Sequence, residues 1–105
     1  MGPIIKKYTG RSAWDYNGYG CYCGYRGSGT PVDSTDRCCM EHDQCYTRTS
    51  CGQSHIQAPS VDCSGADCVC TSPRGKCRYE SCACDVALGQ CLGRATYNSA
   101  NKNRC

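Results

Sequence analysis

A histidine and an aspartate stand side by side in CCMEHDQCY, residues 38–46, among Cys38, Cys39 and Cys45. Histidine titrates close to neutrality, so His42 can take up a proton and hand it back at physiological pH. Asp43 lies about 100° around a helix from it and presents its carboxylate in another direction. Upstream, YGCYCGYRGSGTP, residues 19–31, carries Gly20, Gly24, Gly27 and Gly29 together with Cys21 and Cys23. A glycine-rich loop tied down at its start can turn several backbone carbonyls toward one point. Carbonyl oxygens joined by a carboxylate suit a hard cation, and calcium accepts an irregular geometry that magnesium would not. Alone, such a loop could equally cradle phosphate or simply turn the chain.

These residues need rigid elements to hold them. One helix is expected after TPVDSTD, where Asp33 or Ser34 can cap the first amides, and it runs to about Arg48. A second is expected from about Tyr79 to Arg94, with Cys84, Leu88, Cys91 and Leu92 recurring on one face. Residues 51–77 between them are rich in Gly, Ser and Pro and read as loop with at most a short, weak hairpin; His55 falls there as a loop residue. Cys38 and Cys45 are seven apart on the first helix, as are Cys84 and Cys91 on the second, so each pair spans two turns, about 10 Å. Antiparallel helices could therefore be stapled 38–91 and 45–84 in one register. In that register His42 and Asp85 come within roughly 3 Å of the same level. Tyr46, one turn beyond His42, can donate its hydroxyl to the same carboxylate. The competing reading is a histidine on a solvated face.

With 105 residues the chain is sized for one domain, and nine Leu, Ile and Val, eight Tyr, one Trp and no Phe leave little material for a core. Fourteen cysteines answer that shortage: an even count in so short a chain reads as a disulfide scaffold of an oxidising, hence secreted or lumenal, compartment. Zinc is the weaker reading, because the Cys-x-Cys pairs at 21/23, 68/70 and 82/84 are closer than the usual Cys-x-x-Cys knuckle. No apolar run reaches the length of a membrane span, and MGPIIKKYTG lacks the apolar stretch of a signal peptide, so a mature chain is expected. The net charge of +3 gathers at residues 1–11 (Lys6, Lys7, Arg11) and 86–105 (Arg94, Lys102, Arg104), a basic rim suited to anionic surfaces. The basic residues are too few and scattered for a nucleic-acid binder. Trp14, Tyr8 and Ile4-Ile5 beside these cations suit a face lying on a membrane, and equally suit a small core.

Taken together, YGCYCG, DRCCMEHDQCY and CACD followed by QC resemble the secreted phospholipase A2 enzymes over nearly the whole chain, from about Ile4 to Cys105. The resemblance implies a mainly α, small, disulfide-rich fold over residues 1–105. Its parts are two long antiparallel crosslinked helices, a calcium-binding loop, a short N-terminal helix and at most a small two-stranded hairpin. It implies His42 as the general base toward water, Asp85 as its orienting carboxylate, Tyr46 bracing Asp85, and the Gly24 N–H as an oxyanion donor. Calcium would be bound by Asp43 and the backbone carbonyls of Tyr22, Gly24 and Arg26. It implies bridges 21–105, 23–39, 38–91, 45–84, 51–77 and 70–82; Cys63 and Cys68 remain, and a local seventh bridge is expected between them.

The chain departs from the family where Arg26 replaces a glycine, where residues 47–78 offer no second tyrosine to the aspartate, and where Met-Gly-Pro replaces the first turn of the N-terminal helix. The implied activity is calcium-dependent hydrolysis of the sn-2 ester of phosphoglycerides by a secreted, monomeric protein working on phospholipid membranes or micelles, with a preference for anionic lipid and no nucleic-acid partner. The alternative is a phospholipase-like binding protein or toxin acting by contact. Noncatalytic relatives typically lose the histidine or the metal-binding aspartate, and this chain keeps both.

Overall fold

A computed structural model of the chain describes residues 1–24, 27–50 and 60–105. Among these it forms helices α1 (Gly2–Thr9), α2 (Ser34–Thr47) and α3 (Cys77–Arg94), an antiparallel hairpin of β1 (Val61–Asp62) and β2 (Val69–Cys70), and 3-10 turns at Ala13–Tyr16 and Ser99–Asn101. The mainly helical class and the minimal hairpin agree with the sequence. Val61 pairs with Cys70 and Asp62 with Val69.

Asp33, rather than Ser34, caps α2, its side chain accepting the Asp36 N–H at 2.9 Å and satisfying one of the orphan amides. The helix stops at Thr47 with Arg48 as its C-cap. α3 starts at Cys77, earlier than the expected Tyr79, because Lys76 is an N-cap without a side-chain bond and leaves no start signal. Cys38–Cys91 and Cys45–Cys84 join the two helices with Cα separations of 5.7 and 5.8 Å, so the rungs are equal and the helices run antiparallel. Cys21–Cys105, Cys23–Cys39, Cys63–Cys68 and Cys70–Cys82 are also formed, each an expected pairing. Cys77 is disulfide-bonded, whereas Cys51, its expected partner, and His55 lie outside the described residues.

α1 packs on α3 through a close approach. A Cβ built on Gly89 would stand 2.7 Å from both Ile4 Cγ2 and Tyr8 Cδ2, and one on Gly93 would stand 2.8 Å from the Tyr8 carbonyl oxygen. Side chains there would lift the N-terminal helix away. Gly89→Ala is therefore expected to destabilise the fold by about 1–3 kcal/mol through overpacking, visible as a lower thermal unfolding midpoint. Ile4 and Ile5 are buried while Trp14 is 72% exposed, so the core and surface readings of these residues each hold for a different one.

In the absence of Phe, the bulk of the core comes from tyrosine. Tyr16, Tyr19 and Tyr97 pack with ring centroids 5.1 to 6.4 Å apart, beside Ile5, Leu88 and Leu92. The far C-terminal segment is fastened to the glycine-rich region: the Gly20 N–H donates to the Asn101 carbonyl at 3.0 Å, the Asn103 N–H to the Gly18 carbonyl at 2.7 Å, and Cys105 is bonded to Cys21. No helix among the described residues is long and apolar enough to cross a membrane.

Candidate active site

The two staples bring His42 of α2 against Asp85 of α3, with Nε2 2.8 Å from Oδ1. Asp85 is 1% exposed and the His42 side chain 9%, which rules out a solvated-face histidine. A carboxylate can only accept, so Nε2 carries the proton and Nδ1 keeps the lone pair that can act as a base. Tyr46 also donates its hydroxyl to Asp85 Oδ1, and its ring packs on the imidazole at 4.3 Å between centroids. Burial, and then the hydrogen bond to Asp85 with its charge, push the Tyr46 phenol well above the usual range, so it stays a donor. Tyr46→Phe keeps the ring and removes this bond. It is expected to cost about 1 kcal/mol of stability, measured by thermal unfolding, with the fold retained.

His42 and Tyr46, with Asp85 buried behind them, line a cavity of about 460 Å³, a size suited to a drug-sized ligand. Met1, Ile5, Ala13, Tyr16, Leu88 and Leu92 supply its apolar walls, and Tyr22, Gly24, His42 and Asp43 its polar end. The short N-terminal helix thus contributes a wall through its cap Met1 and Ile5.

The polar end has unclaimed acceptors. The Cys23 carbonyl takes the Gly18 N–H at 3.0 Å, yet among the described residues no donor reaches the carbonyls of Tyr22 or Gly24 on either side of it. Nor does any described donor hydrogen-bond the Asp43 carboxylate. Burial raises the Asp43 pKa, the nearby His42 opposes this, and Asp36 adds to it. Asp43, half-buried, shares this cavity lining with Tyr22 and Gly24, and a carboxylate and backbone carbonyls that lack a donor among the described residues would suit a hard cation such as calcium. No group of three or more His, Cys, Asp or Glu side chains converges on a metal site among the described residues, so a cation here would rely on backbone oxygens beside one acid. Arg26, the remaining expected ligand, lies outside the described residues.

Sequence reasoning passed over Asp36, which is fully buried and accepts three backbone N–H groups. The available signal was its place three residues after the cap Asp33, where an acid usually completes a capping box.

The family model for phospholipase A2 matches residues 1–102. An acidic phospholipase A2, PL-I, of Walterinnesia aegyptia is 46% identical over 92 residues, covering 84% of this chain and 66% of the relative. A basic phospholipase A2 of Micrurus corallinus is 42% identical over 107 residues, 95% of this chain and 72% of the relative. The phospholipase A2 A2-hormotoxin-Apt1a of Adamsia palliata is 41% identical over 106 residues, 95% of this chain and 68% of the relative. The chain spans about two thirds of the length of these relatives.

Proposed function

Because the chain belongs to the phospholipase A2 family, we propose that residues 1–105 work as a single catalytic domain that hydrolyses the sn-2 ester of phosphoglycerides in a calcium-dependent reaction. The observation that carries this reading is the His42–Asp85 pair, 2.8 Å apart, with His42 on the lining of a largely apolar cavity.

Water hydrogen-bonded to His42 Nδ1 attacks the ester carbonyl carbon as its proton passes to Nδ1. The imidazolium is stabilised by the buried Asp85 carboxylate, which Tyr46 holds in place. The backbone N–H of Gly24 donates to the oxyanion as charge develops. When the acyl C–O bond breaks, His42 returns the proton to the departing glyceryl oxygen, leaving a free fatty acid and a lysophospholipid. Asp43 and the carbonyls of Tyr22 and Gly24, joined by that of Arg26 on the family pattern, would hold calcium, which when bound supplies positive charge for the ester carbonyl and the lipid phosphate. No serine or cysteine nucleophile is required.

The lipid partner is a membrane or micelle surface. Trp14, 72% exposed, neighbours Ala13 at the cavity wall, and Lys6, Lys7 and Arg11 are exposed along the same N-terminal segment, which favours anionic lipid. A monomer suffices for this chemistry. The disulfide framework suits a secreted protein. Trp14→Ala is expected to weaken binding to phosphatidylglycerol vesicles several-fold in a sedimentation assay.

The deciding experiment is fatty-acid release from sn-2-labelled phosphatidylglycerol and phosphatidylcholine vesicles across a calcium titration, with an EGTA control. Release that rises with calcium and stops with EGTA supports the reading. Absence of release from vesicles and from a short-chain monomeric substrate at millimolar calcium would leave the protein as a contact-acting member of the family.

A further inference from the structure

We infer that Asp36 is a positioning residue that ties Cys21 and Tyr22 to Val32 and so aims the Tyr22 carbonyl, an inference that rests on the calcium reading above. Its carboxylate lies in the first turn of α2, where an acid ordinarily reaches back to the N–H of the cap residue. Here it reaches further. Oδ2 accepts from the Val32 N–H at 2.9 Å and the Cys21 N–H at 2.8 Å, while Oδ1 accepts from the Tyr22 N–H at 2.7 Å. One buried side chain therefore fastens both ends of the segment from Cys21 to Val32.

The approach depends on Gly20, where φ is +59° and an added Cβ would lie 2.4 to 2.7 Å from the carboxylate atoms of Asp36. The next amide is tied as well, because the Cys23 N–H donates to the Tyr19 carbonyl at 3.1 Å. The peptide between Tyr22 and Cys23 is planar and trans, so fixing that N–H fixes the opposite direction of the Tyr22 C=O. With the N–H groups on both sides held, the Tyr22 carbonyl has one orientation left. Asp36 and Asp43 belong to the same helix, so the carbonyl side and the carboxylate side of the site share one rigid support.

Calcium binding by isothermal titration calorimetry, together with kcat on a short-chain monomeric phospholipid at saturating calcium, separates this role from general stability. In Asp36→Asn an amide NH2 faces backbone donors and leaves at least one of the three N–H groups unpaired. The calcium Kd is expected to rise about tenfold, with a smaller effect on kcat at saturation. Asp33→Asn disturbs the same helix end through bonds to Tyr19, Asn101 and the Asp36 N–H, and is expected to lower stability without moving the Kd. Should Asp36→Asn fail to fold, Gly20→Ala keeps the carboxylate but pushes it from the Cys21 and Tyr22 amides, and the Kd is expected to rise likewise. A folded Asp36→Asn or Gly20→Ala protein with wild-type affinity overturns the inference, as does equal weakening by Asp33→Asn. A wild-type protein that hydrolyses lipid but binds no calcium overturns the calcium reading as well, and the first titration shows this before any variant is made.

Discussion

His42→Gln is expected to lower ester hydrolysis by about 10²–10⁴-fold, the range associated with a positioned general base. Glutamine occupies similar space and can donate its amide to Asp85, but its side chain cannot take a proton from water near neutral pH. The fold is expected to survive, because Cys38–Cys91 and Cys45–Cys84 bracket position 42 on both sides and do not depend on it. The measurement is turnover of a short-chain monomeric substrate, with circular dichroism and the unfolding midpoint as controls. A folded variant with wild-type turnover would remove His42 from the mechanism and, with it, the meaning given to the Asp85 contact.

Asp43→Asn has the second large expected effect, and its sign differs between function and stability. Asp43 is the carboxylate of the proposed cation site, and loss of a direct charged ligand is expected to raise half-saturating calcium by more than the 10- to 100-fold typical of losing an outer-shell partner. Stability in the absence of calcium is expected to hold or improve. Burial raises the Asp43 pKa and no described donor compensates it, so a neutral amide removes an unfavourable charge from the folded state. Calcium-dependent hydrolysis and calcium-free thermal unfolding, measured side by side, check both halves. A variant that loses stability and keeps its calcium response would show that Asp43 braces the fold and does not bind metal. Sites of this kind carry unfavourable electrostatics that their ligand relieves.

What could be read from the sequence follows from the rigidity of the α-helix. Seven residues are two turns whatever surrounds them, so the Cys38/Cys45 and Cys84/Cys91 spacings define the stapled register and the level at which His42 meets Asp85. Motif resemblance extended this to Cys23–Cys39, Cys70–Cys82 and Cys21–Cys105, the last of which no helical period could reach. Close approach was not legible: whether Gly89 and Gly93 are ordinary helix residues or the seat of α1 depends on a neighbour more than 80 positions away in sequence. Asp36 was hidden for a related reason, since all three of its donors belong to a loop whose path is set only in the folded molecule. The start of α3 at Cys77 was missed because no side chain caps it. Trp14 and the isoleucines share an apolar character, and only the packing of α1 on α3 sorts one to the surface and the others to the interior.

The bond between Cys21 and Cys105 spans 84 positions, and Gly18 and Gly20 take hydrogen-bond partners from the same distant segment. On a growing chain the glycine-rich loop therefore waits for residues made long after it, at elongation rates of about 5–20 residues per second. Helices α2 and α3 can pair earlier, so His42 and Asp85 can meet before the loop beside them is secured. Assembly of the complete site is thus deferred until residue 105 has emerged into an environment able to oxidise its thiol. A reducing compartment would leave that last fastening undone.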